Sequence, residues 1–217
     1  MKTAVIIGGS GLSGKKLTRA LLADRRYGTV VVLIRKPLNF IHEKLRQVVL
    51  DFDNPEPSLL RGDEMYCCLG TTLSDAGSED AFTRVDYEYV INLSRLAFEQ
   101  GVKKICVMSS LGANPKSRFF YNRVKGRMES EIIKIGFEKC VIVRPSILRG
   151  IRKINRPGEK LASSIMSIFS IFIPKKYRAI DSTDVAVSMI RLMNYEEITG
   201  NHIAESEEIR KIAKRPK

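Results

Sequence analysis

The sequence predicts an α/β protein built on a doubly wound parallel sheet, and three observations predict it. Short apolar runs alternate with longer segments of helical spacing through the first two thirds of the 217 residues. The first run, Ala4-Val5-Ile6-Ile7, ends in glycines and passes directly into a helical pattern. Each strand–helix–strand step implies a right-handed crossover, which lays helices on both faces of a parallel sheet.

Strand-like runs fall at residues 4–7, 30–34, 48–50, 65–69, 105–108 and 141–143. Helical spacing falls at residues 11–23, 78–100 and 119–135. In the longest of these, Val85, Tyr89, Leu93 and Leu96 recur at steps of three and four. After Arg144-Pro145 the pattern changes. Pro145, Gly150, Pro157, Gly158 and Pro174 punctuate short elements, and a helix follows near residues 181–194. The reading is one domain over residues 1–217. Residues 1–145 form its core, and residues 146–217 form a small irregular extension packed over the carboxyl edge of the sheet, on the substrate side.

Composition narrows the class. Hydrophobic residues make up 44% and charged residues 28%, ordinary for a folded soluble protein and unlike a disordered one. The first apolar run is too short for an export signal, and no later run is long enough for a transmembrane helix. Cys67, Cys68, Cys106 and Cys140 each sit in an apolar run without metal-ligand spacing, so a metal site is not expected. They read as buried free thiols of a reducing, cytoplasmic compartment. Net charge is +13, yet residues 1–100 carry 13 basic and 13 acidic side chains, so the whole excess lies beyond them. That asymmetry suits an anionic ligand, partner or membrane surface, or simply solvated lysines. No groove-reading motif accompanies the charge, so specific nucleic-acid binding is not expected.

The first strand ends in Gly8-Gly9-Ser10-Gly11-Leu12-Ser13-Gly14. Between an apolar strand and a helix, such a loop supplies a tight turn, close backbone approach to a pyrophosphate, and free N–H groups at a helix start. This is the Rossmann-like arrangement for a dinucleotide. The second strand then ends Ile34-Arg35-Lys36, where an NAD-binding chain usually carries an acid for the ribose 2′-hydroxyl. Two cations suit a 2′-phosphate instead, so NADP is the expected cofactor.

Tyr121 and Lys125 form a YxxxK, four apart on one helical face. An ammonium beside a phenol favours the phenolate, which makes such a pair usable for acid–base work. The spacing alone arises readily by chance; its place, opening the helix after the fifth strand, gives it weight. That strand ends in Ser109-Ser110, whose hydroxyls are placed to polarise a substrate carbonyl.

The glycine loop, Cys67-Cys68-Leu69-Gly70-Thr71-Thr72, Ser109-Ser110, Tyr121 with Lys125-Gly126, and Arg144-Pro145 together resemble the atypical short-chain dehydrogenases. Among these the chain is most similar to the Tat-interactive-protein family, over about residues 3–195. The resemblance implies that Ser10, Gly11, Leu12 and Ser13 touch the pyrophosphate and that Arg35 and Lys36 hold the 2′-phosphate. It places Asp51 and Phe52 beside the adenine, and Leu69, Gly70 and Thr71 along the ribose. It makes Tyr121 the proton donor or acceptor with Lys125 beside it, and sets Ile147 near the nicotinamide. Arg156-Pro157-Gly158-Glu159 resembles the segment that borders the active-site mouth in that family.

The function expected is therefore an NADP-dependent oxidoreductase, epimerase-like in fold, acting on a carbonyl, alcohol or sugar-nucleotide-like small molecule. The alternative is an NADP-binding regulator or scaffold without turnover. Residues 161–173 are apolar, with serines at 163, 164, 167 and 170 on one helical face, and basic residues follow. Such a segment suits a lid or a homodimer contact, or a peripheral contact with an anionic membrane.

Overall fold

The computed structural model describes residues 1–149 and 177–215. Seven strands form one sheet in the order β3-β2-β1-β4-β5-β6-β9, and every neighbouring pair is parallel. They are β1 (Lys2–Ile7), β2 (Tyr27–Ile34), β3 (Leu45–Val49), β4 (Glu64–Cys67), β5 (Lys104–Met108), β6 (Lys139–Arg144) and β9 (Gly200–Glu205). A separate two-stranded pair, β7 (Leu148–Arg149) and β8 (Ile180–Asp181), lies beside it.

Strand β1 shows why the apolar runs are continuous rather than alternating. Ala4 and Ile6 face one layer of helices, Val5 and Ile7 the other, and all four are fully buried. On the first face pack α1 (Leu12–Ala23), α6 (Ser182–Asn194) and α7 (Ser206–Lys214), through Leu17, Leu21, Val185, Met189 and Ile209. On the second pack α4 (Tyr89–Glu99) and α5 (Phe120–Ile135), through Val90, Leu93, Ala97, Met128 and Ile132. Each of these side chains larger than Ala97 contributes about 1.5–3 kcal/mol by leaving water.

Two expectations need correction. The single helix expected over residues 78–100 is broken into α3 (Glu79–Thr83), a π-helical turn Arg84–Glu88, and α4. The segment beyond residue 145 is not simply an irregular extension. It supplies two helices of one layer and, in β9, the seventh strand of the sheet. Strand β9 escaped notice because it is an edge strand with an exposed outer face, so its residues do not read as an apolar run. The apolar segment 161–173 and Arg156-Pro157-Gly158-Glu159 lie outside the described residues.

The amino end of the sheet is closed by a buried polar network. Glu64 Oε2 accepts from the Tyr27 hydroxyl at 2.6 Å and the Tyr66 hydroxyl at 2.9 Å, while Lys2 Nζ reaches Oε1 at 2.5 Å. Asn194, at the end of α6, accepts from Lys2 and donates to the Tyr27 hydroxyl, both at 2.8 Å. Burial, with the Glu64 charge adding to it, pushes both phenols well above their ordinary range. Three strands meet on one carboxylate and α6 joins through Asn194, so Glu64→Ala takes the shared acceptor from two phenols and an ammonium at once. It should cost about 3 kcal/mol of unfolding free energy in urea titration; a loss below about 1 kcal/mol would show that the network contributes little.

Candidate active site

Ligands in open parallel sheets bind beyond the carboxyl ends of the strands, where the strand order reverses. Here that point lies between β1 and β4, and two hollows open there on either side of the glycine loop.

The loop is built by contacts that admit no side chain. Gly8 has φ +77°, and a Cβ there would lie 2.5 Å from the backbone of Cys68 and Leu69. A Cβ on Gly14 would lie 2.1 Å from the Gly8 carbonyl oxygen. Gly11 differs: a Cβ there would meet only the Gly8 carbonyl oxygen, at 3.4 Å. The protein itself does not demand glycine at Gly11, whereas close approach of an outside group to the backbone does. Helix α1 starts from Gly11 with no side-chain cap and no acid in its first turn, leaving its N–H groups for an anion. The Ser13 hydroxyl beside them is buried without a hydrogen-bond partner.

The smaller hollow, of about 640 Å³, is lined by Ser10, Lys15, Arg19, Arg35, Lys36 and Phe40. Lys15 and Arg19 sit four apart on α1, and the Arg19 guanidinium lies 5.8 Å from the Phe40 ring centroid. No carboxylate pairs with these four cations among the described residues. Gln47 on β3 holds the loop in place: its Oε1 accepts from Leu38 N at 2.6 Å, and its Nε2 donates to the Phe40 carbonyl at 3.0 Å.

The larger hollow, of about 970 Å³, collects the ends of β1, β4, β5, β6 and β9 together with the first turns of α5. Gly11, Leu12, Ser13, Leu69, Gly70 and Thr71 line one side of it. Ser109, Ser110, Tyr121, Lys125 and Ile147 also line it. Asp51 and Phe52 line neither hollow: Asp51 is exposed, and Phe52 is buried with its ring 5.7 Å from that of Tyr89.

Helix α5 brings the sequence-predicted pair Tyr121 and Lys125 together along one stripe. Tyr121, Lys125 and Glu129 are spaced by four, and the Tyr121 ring packs 5.4 Å from that of Phe82. Lys125 Nζ is paired with Asp86 Oδ1 at 2.7 Å, and Asp86 Oδ2 accepts from Thr71 N at 2.7 Å. Burial works against the Lys125 charge, but Asp86 and the nearby Tyr121 outweigh it and hold the ammonium above its ordinary range. One turn on, Glu129 accepts from Arg144 Nε at 2.9 Å and from a second guanidinium nitrogen at 2.5 Å, which fixes α5 to the end of β6. Gly126 lets the helix press on the loop after β5; a Cβ there would lie 2.2 Å from the Asn114–Pro115 backbone.

Ser109 is buried beside this stripe, and its hydroxyl has no hydrogen-bond partner. The Ser110 hydroxyl instead reaches the Leu111 carbonyl at 3.4 Å. An unsatisfied hydroxyl in a cleft is a donor waiting for an oxygen from outside. The four cysteines are buried and unpaired, and burial pushes Cys67 and Cys140 up to about 12, which leaves them poor nucleophiles. Among the described residues no group of three metal-ligating side chains occurs, and no helix is long and apolar enough to cross a membrane. Sequence reasoning missed Asp86, Lys15, Arg19 and Gln47. Only the four-residue spacing of Lys15 and Arg19 signalled a shared face.

No protein-family profile matches the chain. Among curated proteins it is 37% identical over 167 residues to Protein HTATIP2 of Rattus norvegicus, covering 74% of this chain and 69% of that one. It is 32% identical over 156 residues to "Protein FMP52, mitochondrial" of Debaryomyces hansenii, covering 70% and 69%. Among solved structures, MoeE5 in complex with UDP-glucose and NAD shares the fold at a TM-score of 0.70 and 15% identity, covering 97% of this chain and 80% of that one. The cytoplasmic expectation is corrected by these findings. Yeast relatives, including those of Candida albicans and Saccharomyces cerevisiae, are named mitochondrial, which points away from the cytoplasm. Buried thiols call only for a reducing or protected setting and do not single out one compartment.

Ser109→Ala tests the unpaired hydroxyl. It should raise the melting temperature of the ligand-free protein by about 2–4 °C, because an unsatisfied buried donor costs about 1 kcal/mol or more. A fall of several degrees would show that the hydroxyl is bonded within the free protein.

Proposed function

The chain belongs to the family of HTATIP2 and FMP52, and on that premise we propose that it is an NADP-dependent oxidoreductase of the atypical short-chain dehydrogenase type. Its substrate is a small carbonyl or alcohol compound. The observation that carries this reading is the larger cleft, which joins an α1 start open to phosphate with Tyr121, Lys125 and an unpartnered Ser109 hydroxyl.

The residues fit the dinucleotide part by part. The α1 N–H groups and the buried Ser13 hydroxyl suit a pyrophosphate. Lys15, Arg19, Arg35 and Lys36 suit the 2′-phosphate that distinguishes NADP from NAD, and four cations around one hollow repel no phosphate. Leu69, Gly70 and Thr71 border the ribose, and Ile147 the nicotinamide. Asp51 and Phe52, away from both hollows, have no role in this account. A bound nicotinamide supplies the hydride in reduction or accepts it in oxidation.

The chain's own residues manage the oxygen. The Ser109 hydroxyl donates to the substrate oxygen and fixes it. Tyr121 Oη gives that oxygen a proton in the reductive direction and takes it back in the oxidative one. Lys125, charged and held by Asp86, balances the phenolate that Tyr121 becomes after giving up its proton. The neighbour MoeE5, whose fold this chain shares, is seen with UDP-glucose and NAD. That supports the reading of a nicotinamide dinucleotide on this fold.

Two measurements test the reading. Arg19→Ala and the pair Arg35→Ala with Lys36→Ala should each weaken NADPH binding by about tenfold or more, as loss of charge-assisted phosphate bonds does. NADH should move by no more than about twofold, and equal losses for both would refute the selector role. Tyr121→Phe should retain NADPH binding while lowering turnover of a carbonyl found by NADPH-depletion screening by about 10²–10⁴-fold. Unchanged turnover would remove Tyr121 from the chemistry.

A further inference from the structure

The least expected group at the site is a buried carboxylate. Asp86 has no exposed surface and Lys125 about 5%, so the pair at 2.7 Å is largely withdrawn from water in the wall of the larger cleft, which both residues line. Removing two charges from water costs several kcal/mol per ion, and well-packed apolar residues are often no less stable. Stability alone is therefore a poor reason for the pair to exist.

The surroundings give a better one. Asp86 lies on the π-helical turn Arg84–Glu88, an irregularity that recurs at functional sites. Its second oxygen holds Thr71 N, the backbone that runs along the cleft after β4. A Cβ on Gly70 would come within 3.1 Å of Asp86 Oδ1 and 3.5 Å of Lys125 Nζ, so the loop lies directly over the pair. One carboxylate therefore holds both a lysine on α5 and the loop after β4, two parts of the cleft wall.

We propose that Asp86 is the positioning residue of this site, holding Lys125 charged and aimed while fixing the Gly70–Thr71 backbone to the same point. The inference rests on the dinucleotide reading of the cleft. Asp86 acts through Lys125 and Thr71, the two groups its carboxylate holds. Without it the ammonium is left buried without a counter-charge, and it gives up its proton at lower pH. The other ionisable groups facing Lys125 are Tyr121 and the buried Cys67 thiol.

The test is a double-substitution cycle of Asp86→Asn and Lys125→Met in the full chain. It is read by the melting temperature of the ligand-free protein and by NADPH affinity from calorimetry. Each single substitution strands a buried polar partner and should lower the melting temperature by several degrees, and the double should fall no further than the worse single. Asp86→Asn should weaken NADPH at least tenfold, and it should add a loss of affinity between pH 7 and pH 9 that the native protein lacks. In the Lys125→Met background it should weaken NADPH no further. A merely structural carboxylate predicts a lower melting temperature with unchanged NADPH affinity at a temperature where the variant is folded, and that result overturns the proposal. So do losses of affinity that add in the double. Should Asp86→Asn fail to fold, the double decides: folding with the affinity of Lys125→Met supports the proposal, and failure to fold overturns it. Native protein that binds no NADPH overturns the reading of the cleft itself, a failure distinct from an additive cycle in a protein that binds.

Discussion

Three backbones meet without a side chain between them at the end of β1, and the site follows from that contact. The loop bends back at Gly8, the first turn of α1 presses on the Gly8 carbonyl through Gly14, and the chain leaving β4 lies against Gly8 from the other side. Any side chain at Gly8 or Gly14 would collide with main chain, which cannot rotate away. The contact aims the start of α1 across the sheet's carboxyl edge, and it brings the loop after β4 beside it. The two hollows are the space left on either side of this junction.

Polar burial is divided between the two ends of the sheet. At the amino end Glu64 gathers two tyrosines and Lys2, and α6 joins them through Asn194, so every member has a partner. At the carboxyl end α5 is clamped twice, by Lys125 to Asp86 and by Glu129 to Arg144. Satisfied groups surround the larger cleft, yet the hydroxyls of Ser13 and Ser109 within it are left open. The two cleft hydroxyls are donors open to a partner from outside, whereas the Ser94 hydroxyl, on α4 and not in the cleft wall, is a third buried hydroxyl without a partner among the described residues.

Much of this was legible in the sequence because parallel strands are buried on both faces and read as unbroken apolar runs. The runs at residues 4–7, 105–108 and 141–143 fall within observed strands. The glycine loop was legible because its spacing reflects steric contacts that only glycine allows. What failed depended on tertiary partners. Asp86 in a helical stretch reads as a solvated acid until Lys125 arrives from 39 positions away. Glu64 reads as the polar start of a strand, although two phenols and an ammonium close around it. Strand β9, Gly200-Asn201-His202-Ile203-Ala204-Glu205, is mostly polar or small at the sheet edge, and the π-helical turn has no composition of its own. The placement of Asp51 and Phe52 rested on resemblance alone, and neither lines a hollow.

On the proposed function the cleft and its basic annex take one ligand, a dinucleotide carrying a 2′-phosphate. The most direct measurement is the melting temperature of the native protein in the presence of NADPH or NADH at matched concentrations. A ligand at 100 times its dissociation constant stabilises a protein by about 2.7 kcal/mol, which is about 5–10 °C for a domain of this size. The account predicts such a rise with NADPH and a much smaller one with NADH. No rise with either, or equal rises with both at every concentration, would contradict it.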